Sequence, residues 1–325
     1  MKIINSKFKH SLFLKDYSIN DNACFLDIET LGLNRNKDMI YLVGVLYFNK
    51  NEELWNLDQY FSESIKDEKS MLIELVHAVK DFHTIITYNG NAFDLPYLNN
   101  RFYIYDIEFN FNKINSLDLY AIVRKNKQYL NLENYKLKTL ERFIGIYRED
   151  IYSGRDCIDF YKDYLITEDK ELKNKILQHN YDDLFYMLDL FKIIDILKHK
   201  KTISININNQ ILQLILEDIK SEGDFLIIQG IIESESTNKI NYYGENYKVL
   251  IEEDNRYIIT IEYKKGLLSP RVNCRFIYNH EFSIDIVDES EHTTPNGVIL
   301  LQVENTIILQ NIKNIIEQLV KRILI

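Results

Sequence analysis

Residues 24–30 read CFLDIET, an apolar, strand-like run with carboxylates on alternate positions. Side chains alternate faces along a strand, so Asp27 and Glu29 point the same way while Ile28 enters the opposite layer. Two carboxylates side by side repel each other unless a cation lies between them. Taken alone, the pair also suits a solvated strand edge or a pair of caps.

Two further segments bring acids of the same kind. In ITYNGNAFDLPYL, residues 86–98, a short strand runs into an Asn89–Gly90 turn, and Asp94 follows Phe93 at a helix start. In HNYDDLFYMLDL, residues 179–190, Leu184, Met187 and Leu188 would dock a helix on a sheet and leave Asp183 at its edge. Singly, Asp94 suits an N-cap, and Asp182 with Asp183 a solvated helix face. Together, Asp27, Glu29, Asp94 and Asp183 lie in or just beyond apolar segments, where a carboxylate is costly unless something positive offsets it. A pair of divalent cations is the simplest such partner, and two hard ions are the usual apparatus for phosphodiester hydrolysis.

At 325 residues and 46 % hydrophobic content, the chain is long for one core and suits two folded domains. The net charge of -10 argues mildly against a general nucleic-acid coat protein. Residues 1–200 carry 27 basic and 31 acidic residues, and 201–325 carry 12 and 18. Setting aside four metal carboxylates leaves the first part near neutrality, so a locally positive groove is compatible with the total. Cys24, Cys157 and Cys274 match neither a zinc pattern nor a disulfide framework. No signal-peptide core or uncharged run of spanning length is read, so a cytoplasmic protein without a membrane partner is the default expectation.

Strands are read near 23–29, 39–48 and 52–57, with short connections that favour an antiparallel meander. A helix fits 68–82, a buried strand 84–88, a helix 92–102 and a strand 115–119. Helical turns follow at 136–143 and 154–165, and 168–198 reads as one or two helices. This order gives an α/β fold, a mixed sheet covered by helices. The polar, basic KHKKTISININN at 198–209 is read as the boundary between a domain over 1–200 and a β-rich accessory domain over 201–325. In the latter, DFLIIQGIIE, NYKVLIEE, RYIITIEY, RVNCRFIYN, EFSIDIVD and GVILLQV read as mostly antiparallel strands. A closing helix over 304–324 carries Ile312, Ile315, Ile316 and Leu319 on its apolar stripe.

FLDIETLGL, TYNGNAFDLPYL, SLDLYAIVRK, YKLKTLERFIGIYREDIYSG with FYKDYL, and HNYDDLFYMLDL occur in that order across about 23–197. Together they resemble the DEDD superfamily of exonucleases, the DnaQ-like branch of the ribonuclease H fold, and within it the YprB-like ribonuclease H-like family. The resemblance implies that Asp27, Glu29, Asp94 and Asp183 hold two divalent cations, Mg2+ or Mn2+, with Asp27 bridging. It implies a 3′–5′ exonuclease that releases 5′-nucleotides from DNA or RNA. His179 is the candidate general base, four residues before Asp183 and on the same helix side. The tyrosine subclass carries Tyr at that spacing and the histidine subclass carries His five before the Asp; here His stands at the tyrosine spacing, with Tyr181 as the alternative.

Thr30 and Leu31 fall where relatives seat the terminal nucleotide. Asn89 and Phe93 are candidate substrate contacts, although Asn89 also shapes a turn and Phe93 equally suits core packing. Asp118 is read as a supporting acid. Arg124, Lys125, Lys127, Lys136 and Lys138 form the densest basic run, suited to phosphates or to a solvated face. A structure-selective endonuclease and a weakly active or inactive module that binds nucleic acid or protein remain the alternatives. The second domain is open to substrate binding, scaffolding or recruitment of a protein partner.

Overall fold

The structure, a computed structural model, describes residues 1–20, 22–148, 151–207, 210–233 and 239–324. In chain order it runs β1 (Lys2–Phe8), β2 (Ala23–Thr30), β3 (Ile40–Asn49), β4 (Leu54–Phe61), α1 (Glu68–Val79), β5 (Thr84–Thr87), α2 (Asp94–Ile104) and β6 (Asn115–Asp118). Then come α3 (Leu119–Lys125), α4 (Lys127–Leu130), α5 (Leu137–Phe143), α6 (Gly154–Thr167), α7 (Lys170–Asp189) and α8 (Lys192–Lys201). The chain divides into two compact units, Met1–Lys127 with Leu132–Ile194, and Gln128–Asn131 with Asp195–Ile325.

The first unit is built on a six-stranded sheet in the order β1-β4-β3-β2-β5-β6. The expected meander is present: β2, β3 and β4 pair antiparallel, while β5 and β6 add parallel to β2. The edge strand β1, which pairs antiparallel with β4, was not among the sequence expectations. Central β2 is buried along both faces, as a near-continuous apolar run requires. Its Cys24, Leu26 and Ile28 enter one core with Val43, Val45, Met71, Leu75, Leu98 and Phe102, under α1 and α2. The opposite face packs Tyr41, Leu42 and Phe61 against Cys157 and Tyr161 of α6 and Ile176 of α7. This is the α/β mixed sheet flanked by helices that the resemblance implies.

The C-terminal end of α2 is fixed by a buried ion pair. Glu68 on α1 accepts from the Ile40 backbone N–H (2.8 Å), from Arg101 Nε (2.7 Å) and from the Tyr105 hydroxyl (2.8 Å). One carboxylate thereby ties α1, α2 and β3 together.

The second unit continues with β7 (Thr202–Ile207), β8 (Gln210–Glu222), β9 (Phe225–Glu233), β10 (Ile240–Tyr243), β11 (Tyr247–Ile251) and β12 (Arg256–Glu262). After these come β13 (Lys264–Ser269), β14 (Val272–Tyr278), α9 (Asn279–Phe282), β15 (Val298–Val303), β16 (Thr306–Ile307) and α10 (Leu309–Leu324). Two antiparallel sheets result, β10-β11-β12-β9-β8-β7 and β13-β14-β15-β16. Helix α10 closes the chain with Ile312, Ile315, Ile316 and Leu319 fully buried, as expected. Among the described residues no helix is long and apolar enough to cross a membrane.

The segment read as the domain boundary carries secondary structure, and one strand expectation changes. Residues 198–207 of KHKKTISININN are ordered as the end of α8 and all of β7, because Ile203 and Ile205 alternate with polar residues and are buried; Asn208 and Asn209 lie outside the described residues. EFSIDIVD is not a strand. Ser283 is left-handed (φ 50°), which ends the short turn of α9, and Asp288 accepts the Leu300 N–H and the Asn311 side-chain amide. These tertiary bonds hold the segment outside a ladder.

Replacing Arg101 with Met strands Glu68 as a lone buried charge. The expected outcome is a loss of about 3–5 kcal/mol of stability, read by denaturant titration of the purified variant.

Candidate metal centre

The strand β2 carries Asp27 partly exposed and Glu29 buried. In the register Asp27 stands opposite Gly44 of β3, which stands opposite Gln59 of β4. Over this row lies α7. Its Asn180, fully buried, donates through Nδ2 to Asp27 Oδ2 (2.8 Å) and accepts at Oδ1 from Gln59 Nε2 (2.9 Å). Gly44 is what permits the approach: a Cβ there would lie 2.3 Å from Leu184 Cδ1 and 2.4 Å from Asn180 Oδ1.

One turn of α7 presents His179 and Asp183 beside this row. His179 Nε2 lies 3.7 Å from Glu29 Oε1 and 3.9 Å from Asp183 Oδ2. The Tyr41 hydroxyl, stacked on Tyr161, reaches Glu29 Oε2 at 3.4 Å. A Cβ on Gly154 at the start of α6 would lie 3.9 Å from that same oxygen, so the YSG segment also ends at the cluster.

Asp94 is the first residue of α2, and its Oδ1 accepts the backbone N–H of Ile28 (3.1 Å) rather than serving as an N-cap. The loop before it is held by Asp118, the N-cap of α3. Asp118 Oδ1 accepts from Asn89 N–H (2.8 Å) and Oδ2 from Asn91 N–H (3.1 Å). Asn89 adopts φ 66°, the left-handed conformation its side chain tolerates.

Like charges crowd this point. Burial first, then the charges of Asp183, Asp94 and Glu29, hold the Asp27 carboxyl well above its ordinary range, against the lowering effect of Asn180. Burial likewise pushes Asp94 up to about 7; N–H groups oppose this, and Asp118 and Asp183 add to it. Glu29, His179 and Asp183 each offer one donor atom, all within 4.8 Å of one another. Two carboxylate oxygens and an imidazole nitrogen beside further acids fit a divalent cation.

Two residues that the sequence reading quoted only within YKLKTLERFIGIYREDIYSG, without a role, complete the cluster. Arg148, after α5, donates through Nη1 to Asp183 Oδ1 and through Nε and Nη2 to both oxygens of Glu141 on α5. Its guanidinium also lies over the Tyr186 ring, 5.3 Å from the centroid. Burial opposes its charge, and Glu141 and Asp183 more than reverse that, so its pKa stands above the ordinary arginine value. Neither Arg148 nor Glu141 had a signal in spacing, since their partners lie on separate elements.

The other sequence candidates divide. Buried Thr30 donates through Oγ1 to Gly32 O, and half-buried Leu31 packs on the α6 side of the sheet. Phe93 is half-buried against the core under α2, with the Tyr97 ring 5.4 Å away. Tyr181 packs against Phe8 and Phe185. Arg124 and Lys125 form the exposed last turn of α3, and among the described residues no ion pair or hydrogen bond joins either to the acids. Lys127 and Lys136 are exposed, and Lys138 Nζ donates to Tyr152 O.

Two outcomes test this geometry. Gly44→Ala must displace α7, at an expected cost of about 1–3 kcal/mol, measured by denaturation. The second concerns pH. Burial pushes the Asp94 carboxyl from its ordinary 3.8 up to about 7 in the folded protein. Between these values the metal-free native state therefore binds more protons than the unfolded state, so stability falls as pH rises. Asp94→Asn in chelator should flatten that slope; a slope parallel to wild type would contradict the crowding described.

The family model described as RNase_H superfamily matches residues 24–195. A DNA polymerase of Methanocaldococcus jannaschii is 41% identical over 51 residues, 16% of this chain and 3% of that protein. The protein YprB of Bacillus subtilis is 26% identical over 189 residues, 57% of this chain and 45% of that protein. The chain thus spans less than half the length of these curated relatives. Among solved structures, the family B DNA polymerase of Pyrobaculum calidifontis is similar with a TM-score of 0.42 and 17% identity, covering 55% of this chain and 25% of that one. An ExoI–ssDNA complex of E. coli is similar with a TM-score of 0.32 and 13% identity, covering 63% and 53%. With more than half of its residues inside the matching family model, the chain belongs to the RNase_H superfamily.

Proposed function

We propose that this chain is a metal-dependent 3′–5′ exonuclease of the YprB-like kind, hydrolysing phosphodiester bonds of DNA or RNA. The observation that carries the reading is the cluster of Glu29, His179 and Asp183, with Asp27 and Asp94 near enough to feel the charge of Asp183. The fold and this acidic–histidine cluster are consistent with a nucleic-acid-processing enzyme, and the DNA polymerase relatives support nucleic acid as the substrate class.

In this reading the four carboxylates hold two divalent cations, Mg2+ or Mn2+. When bound, such a pair lowers the pKa of a water and stabilises the departing 3′-oxygen. His179 Nε2 takes the proton of the attacking water, a role its distances to Glu29 and Asp183 allow. Asn180 fixes Asp27 through its amide, and the Asp118-held loop fixes the approach of Asp94. Thr30 and Leu31 continue β2 beyond Glu29 and would meet the terminal nucleotide. Asn89 and Phe93 precede Asp94 and would contact the substrate, and Arg124 and Lys125 would meet a phosphate. The first unit holds the whole site in this proposal; the second is accessory, through substrate or a protein partner.

The test is cleavage of 5′-labelled single-stranded DNA and RNA, blocked or unblocked at the 3′ end, with Mn2+ or Mg2+. A 3′-dependent ladder, lost in an Asp27→Ala/Glu29→Ala variant, is expected. Internal cuts lost in the same variant would instead make the protein an endonuclease. A folded protein with no cleavage under any of these conditions would sink the reading.

A further inference from the structure

We propose that Arg148, held by Glu141, is a positioning residue that clamps one oxygen of Asp183 so that the other is presented to a divalent cation. The inference rests on the metal-centre reading above and extends it to two residues outside the acidic motifs.

The geometry separates two jobs on one carboxylate. Asp183 Oδ1 is taken by Arg148 Nη1, whereas Oδ2 faces His179 Nε2 at 3.9 Å. A carboxylate with one oxygen fixed has lost the freedom to rotate about its last bond, so its other oxygen stays in the position a cation needs. Partners behind a metal ligand orient it in this way. Arginine suits the task because its planar fork makes contacts in fixed directions. Two of its nitrogens engage both oxygens of Glu141, and the third is left aimed at Asp183.

A rival role is that the guanidinium stands in the cation's place and leaves when the cation arrives. Burial decides against it. The side chains of Arg148 and Glu141 are 3% and 1% exposed. Withdrawing Arg148 would strand Glu141 as an unpaired charge in the interior, which is strongly unfavourable. The Tyr186 ring packed on the guanidinium holds it further. The clamp therefore stays closed with the cation bound.

Mn2+ alone is the probe, titrated into the metal-free full-length protein, with the free ion followed by electron paramagnetic resonance. Arg148→Met should weaken Mn2+ binding by about 10–100-fold. Because that variant strands Glu141, Glu141→Gln/Arg148→Met removes both charges and should show the same loss with its melting temperature retained. Arg148→Lys, one point donor instead of a fork, should fall between. In an Asp183→Asn background, removing Arg148 should change affinity no further, since the clamp has nothing left to hold; a merely structural role would not produce that dependence. Unchanged or tighter Mn2+ binding in the folded double variant would overturn the clamp and favour the stand-in role. If the folded wild-type protein binds no Mn2+, the clamp falls together with the metal-centre reading; if only the variants behave like wild type, the clamp falls alone.

Discussion

Asp27, Gly44 and Gln59 lie side by side across three neighbouring strands, and Asn180 of α7 rests on the glycine between the other two. Everything at the site depends on that contact. Any side chain at position 44 would lift α7, and α7 carries His179, Asn180 and Asp183 together. Once the helix is seated, Asn180 satisfies both of its polar ends inside the protein. A buried amide that finds two partners fixes its helix in rotation as well as in height, because any slip leaves polar atoms unpaired. The rotation that sets Asn180 on Gly44 also turns His179 and Asp183 towards Glu29.

A second constraint acts from the other layer. Asp94 begins a helix that packs beneath the opposite face of β2, yet its carboxylate reaches the strand through the Ile28 N–H. Glu68 and Arg101 hold that helix at its far end, and Asp118 holds the loop at its near end. The acids are thus not gathered by attraction to one another. Apolar packing and neutralised polar ties force them together against their own repulsion.

What could be read from the residues follows from which interactions are local in sequence. The alternation in CFLDIET fixes which way Asp27 and Glu29 point, and the helical spacing of Leu184, Met187 and Leu188 fixes the buried face of α7. Both readings survive in the structure, as does the left-handed turn at Asn89. Asn180 was visible in HNYDDLF, but nothing in the spacing announces that it would sit above a glycine 136 positions earlier. Arg148 and Glu141 were hidden for the same reason, as was Gln59. In the second unit, EFSIDIVD has the alternation of a strand, and only the tertiary partners of Asp288 show why it is not one. Periodicity reports burial along one element; it carries no information about which element supplies the partner.

The charges bear on how many cations the proposed centre takes. Glu141 and Arg148 balance each other, and Asp118 is met by backbone N–H groups. That leaves Asp27, Glu29, Asp94 and Asp183. A single divalent cation among them leaves an excess of two negative charges in a crowded, partly dehydrated crevice, where Asp27 and Asp94 already retain protons more tightly than an ordinary carboxyl. The excess can be relieved by holding two protons or by a second cation. Protons would serve at low pH. Above about 7, the value to which Asp94 is raised, protons are given up, and in the proposed centre a second divalent ion would be the remaining neutraliser. Protons and metal thus compete for the same carboxylates, so occupancy of the proposed centre, by one cation or two, would rise with pH.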